Sequence, residues 1–171
     1  MNKQDDRRAA ILERLADHVL AHGLSASSLR PLAKAAQTSD RMLLYYFKDK
    51  AELFQAILEL VAERMTRLLQ ARAPTTPLPL NALVAKLQAI VFAPDLWPYM
   101  RVWLEMASLS AGSDPLYRHI GNRIGHGFLA WGTSLLDSPT PETDAAKLLV
   151  TIEGMVLLKA IGMDETCRNA L

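Results

Sequence analysis

The sequence predicts an all-α protein, an N-terminal three-helix unit built on a helix-turn-helix and followed by a C-terminal helical bundle. Three observations carry that expectation. Apolar residues return at helical spacing along nearly the whole chain. Proline, glycine or a capping hydroxyl stands at most of the intervals between those runs. No stretch alternates apolar and polar residues as a half-buried strand must, and no repeat period occurs. A length of 171 residues, half of them hydrophobic, suffices for a core in one compact unit or in a small domain beside a larger one.

The first helix is expected over residues 6–22, with Ile11, Leu12, Leu15, Ala16, Val19 and Leu20 facing inward and Gly23 as its C-cap. A short second helix can begin at Ser27 or Ser28, since either hydroxyl can accept from the free N–H groups of the first turn. Leu29, Leu32, Ala33 and Ala36 then share one face. Pro31 must lie in the first turn, where its missing N–H is of little consequence. The run stops at Gln37-Thr38. Ser39 is a second N-cap, and Asp40 complements the dipole of the helix that follows. Arg41 to Tyr46 make about two turns of that helix. Two short helices joined by so tight a turn form a helix-turn-helix, whose second helix fits the major groove of DNA.

A longer helix is expected from near Asp49, with Leu53, Phe54, Ile57, Leu58, Val61, Met65 and Leu68 on one side. The segment APTTPLP, residues 73–79, ends it. Further helices are expected at about 80–93, 96–111, 115–136 and 141–162, separated by Pro94, by Gly112 to Pro115 and by the turn from Ser138 to Pro141. Thr140, Pro141 and Glu142 make a helix start of cap, first-turn proline and acid, and Gly162 can end that last helix. The tail MDETCRNAL is left open between a final helix and a loop. Its Cys167 is the chain's single cysteine, which excludes an internal disulfide framework, and its place in a polar tail reads as incidental.

The formal net charge is +1, but it is unevenly spread. Residues 1–50 hold nine Lys or Arg against six Asp or Glu, and the remainder holds ten against twelve. A basic bias on the helix-turn-helix third suits phosphate contacts, although a solvated basic face would look the same. The N-terminus MNKQDDRRAA has no apolar run of the signal-peptide kind. No stretch of about 18 apolar residues exists, because Glu153 and Lys159 interrupt the longest candidate, so no membrane span and a cytoplasmic location are expected. His18 and His22 stand at i, i+4 without a third ligand nearby, and His119 and His126 are two turns apart. No nucleophile elbow, phosphate-binding loop or Cys/His cluster is present. Neither enzymatic activity nor a metal or cofactor is therefore expected.

The pattern Leu32-Ala33-x-x-Ala36-x-x-Ser39, continued by Leu43, Tyr46-Phe47, Lys50 and Leu53, resembles the N-terminal DNA-binding domain of the TetR family of bacterial transcriptional regulators. The resemblance covers roughly residues 8 to 56 and joins many positions at fixed spacing. Three positions depart from it. Gln37 stands where the family usually has a turn glycine, Arg41 where it often has a glycine, and Leu44 where it often has a tyrosine. The first change raises the cost of a left-handed backbone. The second adds a side chain able to pair bidentately with guanine.

The resemblance implies a DNA-binding domain over residues 1–50 and a ligand-binding and dimerisation domain over 51–171. The DNA-contacting set is then Arg30, Thr38, Ser39, Arg41, Met42, Tyr45, Tyr46 and Lys50. Arg41 is the candidate base reader, with Met42 and Tyr45 as apolar or hydroxyl readers. Thr38, Ser39, Tyr46 and Lys50 suit phosphates, Lys50 lying near the start of a helix where anions are favoured. Tyr45 and Tyr46 cannot both face the groove, and one can instead cap the small core.

A partner is also suggested by the residues themselves. The stretch 144–161 is apolar on nearly every side, so it must bury more than one face. Gly121, Gly125 and Gly132 leave a smooth stripe on the preceding helix. Two readings stand. The stripe meets a symmetry mate, giving a homodimeric four-helix bundle with Gly121, Gly125, Leu129, Gly132, Ile152 and Val156 at the interface, or the glycines only admit bulky neighbours within one chain. The resemblance favours the homodimer, which would set two reading helices about 34 Å apart on a palindrome. It also implies a small-molecule effector, apolar or amphipathic, that releases the DNA. Phe92, Met100, Trp103, Met106, Phe128, Trp131 and Met155 are the candidate pocket, with Arg101, Glu105 or His126 as polar anchors. Taken without the resemblance, the same residues describe an ordinary aromatic and methionine core. The expected protein is a repressor of this kind. The alternative is a helical binding protein of the same fold without sequence-specific DNA reading.

Overall fold

The computed structural model describes residues 3–112 and 114–170. Ser113 of the expected Gly112–Pro115 turn and Leu171 of the tail lie outside the described residues. The elements are α1 (Lys3–His22), α2 (Leu29–Ala35), α3 (Asp40–Tyr46), α4 (Lys50–Gln70), α5 (Leu80–Val91), α6 (Trp97–Ala111), α7 (Pro115–Ser134), α8 (Pro141–Ala160) and α9 (Asp164–Asn169). The order and type agree with the sequence expectation. The chain packs into two compact units, one of Met1–Met65 with Arg101–Gly121, the other of Thr66–Met100 with Asn122–Leu171.

The first unit is organised around the buried side chains of Leu15, Val19, Leu32, Leu43, Phe47, Leu53 and Ile57. Each is worth roughly 1.5–3 kcal/mol relative to exposure. The inward face of α1 is narrower than its pattern suggests, since Leu12 and Leu20 are only half-buried. Gly23 ends α1 with φ +83°, a left-handed value, and donates its N–H to the Val19 carbonyl at 2.8 Å. The serine ambiguity resolves by division of labour. Ser28 is the N-cap of α2 without a side-chain cap bond, while Ser27 is buried and donates its hydroxyl to the Gly23 carbonyl at 2.5 Å. Pro31 lies in the first turn of α2, as its chemistry demands. Arg64 of α4 reaches α1, pairing with Glu13 and donating to Asp17 at 2.7 Å.

The turn between α2 and α3 is a Schellman motif. Gln37 donates its N–H to Lys34 O at 3.1 Å and Thr38 to Ala33 O at 3.0 Å, which satisfies the last carbonyls of α2. Gln37 occupies the left-handed position with φ 54°. Glycine is the usual residue at this position, so the chain carries backbone strain in the middle of its helix-turn-helix.

The second unit joins α5, α8 and α9, with Leu83, Leu87, Leu96, Leu148, Met155 and Val156 among its buried side chains. Leu78 pairs with the end of α7, accepting from Asp137 N and donating to Leu135 O at 2.9 Å each. Thr140 is the N-cap of α8 but makes no cap hydrogen bond; its hydroxyl lies 3.5 Å from Asp144 Oδ2. That carboxylate also accepts from Ser138 at 2.6 Å, and Lys147 binds its other oxygen, so the Asp144 pKa is held below the usual carboxylate value, the Lys147 hydrogen bond first. The tail is helical. Cys167 is not incidental but fully buried, its thiol 3.5 Å from the Met155 carbonyl and its own carbonyl bound by Gln88 Nε2 at 3.2 Å. A polar-looking segment conceals one anchoring side chain, which periodicity over six residues cannot reveal.

Candidate nucleic-acid interface

The geometry of α3 follows from its cap. Ser39 is extended, and its Oγ accepts from Met42 N at 3.2 Å, which fixes where the helix starts and leaves the hydroxyl hydrogen available to an outside acceptor. Leu43, with no exposed surface, and Phe47, likewise buried, anchor the inner side. At 100° per residue this turns Arg41, Leu44 and Tyr45 outward. Arg41 is exposed and makes no ion pair among the described residues. Tyr45 is 64% exposed and Leu44 42%. Met42 and Tyr46 are half-buried. The two tyrosines meet edge to face with ring centroids 5.4 Å apart, and only Tyr45 points fully outward.

Arg8 of α1 holds the far end of α3, a role without a signal in the sequence because it rests on a tertiary approach. Its Nε donates to the Tyr46 carbonyl at 3.3 Å, its guanidinium lies 4.5 Å from the Phe47 ring centre, and its Nη2 is 3.4 Å from Glu52 Oε1. Arg14 similarly donates to the Ala36 carbonyl at 3.2 Å. Two arginines that contribute to the basic bias of the first third are therefore committed to carbonyls of α2 and α3.

At the start of α4 the anions in place are the chain's own. Asp49 Oδ1 accepts from Glu52 N at 2.8 Å, and Glu52 Oε2 accepts from Lys48 N at 3.0 Å. Two carboxylates of the chain itself take up these two N–H groups. The Lys50 ammonium is exposed and sits 5.5 Å from the Phe54 ring centre. Arg30 is exposed on α2, and Thr38 is half-buried in the turn. Thr38, Ser39, Arg41, Met42 and Tyr45 thus lie together on the cap and helix of α3, while Arg30 and Lys50 stand on its neighbours.

The candidate pocket residues divide between the units. Trp103 and Met106 belong to the first; Phe92, Met100, Phe128, Trp131 and Met155 belong to the second. Met100, Met106 and Met155 are buried. The Phe92 ring is engaged by Lys159 Nζ at 4.6 Å and by Trp97 edge to face at 6.4 Å. The suggested polar anchors have other work. Arg101 donates to the Leu20 carbonyl at 2.9 Å, Glu105 binds the segment after Gly23, and His126 Nδ1 lies 2.8 Å from Asn122 O on its own helix.

Two of the three stripe glycines fit the reading in which they admit neighbours of their own chain. A Cβ on Gly121 would lie 3.6 Å from Met106 Cε, and one on Gly132 would lie 3.3 Å from Leu148 Cδ2, so these two admit neighbours of their own chain. Gly125 has no such neighbour within 4 Å among the described residues. On α8, Val156 is buried in its own chain and Ile152 half-buried. The apolar side chains left outside are Val150, 73% exposed, Leu157, 53%, and Ile161, 63%. With Gly154, which also faces open space, they repeat at intervals of four, three and four residues. Leu129 is half-buried on α7.

Residues 11–57 match the profile of the bacterial regulatory proteins, tetR family. No curated protein sequence matches the chain. The fold is similar to that of a transcriptional regulator from Rhodococcus sp. Rha1, at 20% identity and TM-score 0.73, over 95% of this chain and 90% of that one. It is similar to the multidrug binding protein EbrR complexed with imidazole, at 19% identity and TM-score 0.71, over 100% and 92%. Salmonella enterica GusR follows at 18% identity and TM-score 0.66, over 99% and 89%. At such identities the likeness is one of fold. The matched segment spans α2, the strained turn and α3 with its capped, outward-facing side chains, so residues 11–57 are similar to the N-terminal domain of the tetR family of bacterial regulatory proteins.

Proposed function

We propose that the chain acts in the cytoplasm as a homodimeric repressor that binds palindromic operator DNA through α3 and releases it when a small apolar or amphipathic ligand binds. The observation that carries this reading is the outer face of α3. There the exposed Arg41, which makes no ion pair among the described residues, the exposed Tyr45 and the capping Ser39 stand together in the family-matched segment. Arg41 can pair with guanine O6 and N7, while Ser39, Arg30 and Lys50 supply donors and charge for phosphates.

The dimer is supported by the face of α8. Val150, Leu157 and Ile161 form an apolar ridge around the open Gly154, which suits close packing against the same ridge of a second copy. Gly125 of α7 supplies a second point of close approach. The effector is supported by the apolar and aromatic content of the C-terminal two-thirds and by analogy with EbrR, a multidrug binding protein. A ligand that prefers one arrangement of the two reading heads shifts the dimer toward or away from DNA.

Selection of bound sequences from random duplex DNA at near-physiological salt tests the reading. An enriched palindrome, recovered by a protein of twice the chain mass, is expected. A folded dimer that enriches no sequence, with or without candidate ligands, would instead support the helical binding protein without specific reading, in which Gln37, Arg41 and Leu44 mark lost recognition.

A further inference from the structure

We propose that Leu44 reads the C5-methyl group of a thymine in each half-site of the operator. The inference rests on the DNA-reading role proposed for α3. Single exposed leucines are ordinary on protein surfaces. This one is distinguished by its place. It lies on the flank of α3 between the buried Leu43 and the outermost Tyr45, 42% exposed against 64% for Tyr45, and one turn on from the exposed Arg41. An aliphatic side chain has no donor or acceptor to offer a base edge. In the major groove guanine shows N7 and O6, adenine N7 and N6–H₂, cytosine N4–H₂, and thymine alone adds a methyl group. Leucine set against any of the other three edges removes water from a polar group and returns no hydrogen bond. Against thymine it buries methyl on methyl.

The helix also fixes where that thymine lies. Arg41 and Leu44 are three residues apart, which is about 4.5 Å of helix rise. A base-pair step is about 3.4 Å. The thymine therefore falls one to two base pairs from the base that Arg41 contacts, on the same groove face.

The test uses the full chain and the duplex enriched by selection, with its thymines replaced one at a time by uracil, which lacks only the methyl group. At one thymine in each half-site, within two base pairs of the position sensitive to Arg41→Ala, uracil is expected to weaken binding about fourfold, the value of one buried methyl. Leu44→Ala is expected to bind the thymine and uracil duplexes equally, and Leu44→Met, still long and apolar, to retain the difference. If wild-type protein ignores every methyl, or if Leu44→Ala discriminates as wild type does, Leu44 is not the reader although α3 still reads DNA. A changed oligomeric mass in Leu44→Ala with methyl discrimination intact would assign the side chain to protein contacts. Absence of any enriched sequence would overturn this inference together with the DNA-reading role itself.

Discussion

Glu105 and Ser25 are joined twice through one oxygen, Glu105 Oε2 accepting from both the backbone N–H and the hydroxyl of Ser25 at 2.9 Å. The other carboxylate oxygen lies where a side chain on Gly23 would have to go. Helix α6 thereby holds the loop that leads from α1 into the helix-turn-helix, and Arg101, one turn earlier, holds the Leu20 carbonyl. Gly23→Ala should therefore lower stability by about 2 kcal/mol or more, from the left-handed backbone and the displaced carboxylate together. In Gly23→Ala/Glu105→Ala the clash is gone. Chemical denaturation of the four proteins should show the double variant losing less than the sum of the two single losses. Strict additivity would mean that the two residues do not compete for space.

Gln37 offers the opposite kind of change. Its φ of 54° penalises a residue with a Cβ by about 1–2 kcal/mol, and glycine returns roughly 0.5–1 kcal/mol of that through its more flexible unfolded chain. Gln37→Gly should raise stability by about 0.5–1 kcal/mol, and Gln37→Val should lower it. Denaturant midpoints at unchanged slope measure both. Equal midpoints for the glycine variant would show that the turn is not strained.

Base readers and phosphate holders separate by pattern of loss. Arg41→Ala should relax preference at one base pair in each half-site, at about 1–3 kcal/mol. Lys50→Ala should weaken all sequences alike and reduce the slope of log affinity against log salt by about 1 per chain. Binding titrations of operator and scrambled duplexes at several salt concentrations distinguish them. Equal loss on every sequence for Arg41→Ala would remove it from base reading.

Leu157→Glu, placing a charge in the α8 ridge, should halve the mass seen by analytical ultracentrifugation. Gly125→Gln should act the same way if α7 also meets the second copy. A dimer that survives the first substitution would exclude the ridge, and one that survives only the second would confine the interface to α8.

His18 gives a pH dependence with a definite sign. Its Nε2 is buried without a partner among the described residues, and burial first, then the neighbouring His22, hold its pKa below 6.5. The unfolded chain thus binds the proton more readily than the folded one. Stability from the neutral ring is complete above pH 6.5 and is lost as pH falls through the depressed folded value. Thermal melts between pH 7.5 and about 5 should show a steeper decline for the wild type than for His18→Leu. Parallel declines would clear His18 of any part in acid sensitivity.

Much of this was legible in the sequence, for reasons visible in particular residues. Ser39 and Leu43 mark α3 by local chemistry, a hydroxyl cap and one inward apolar position, and local chemistry is what sequence patterns record. The boundaries of α8 are similarly set by Pro141 and Gly162. Arg8, Arg14 and Glu105 were not legible, because each acts on a backbone group 22 to 80 residues away, and nothing in their neighbours announces the approach. The outward face of α8 was misjudged for another reason. A helix apolar on every side has no periodic minimum, so Val156 and Leu157 look alike until α5 and α9 choose which is covered.

The burial of Cys167 gives the protein a clock of its own. The chain has one sulfhydryl, carried on the inner side of α9 with no exposed surface. A thiol reagent can reach it only while that terminal helix is lifted away, so the rate of modification counts those openings directly. The excursions of the last turn can be timed in the unaltered molecule, with no label introduced, and compared in the presence of DNA or of any candidate effector.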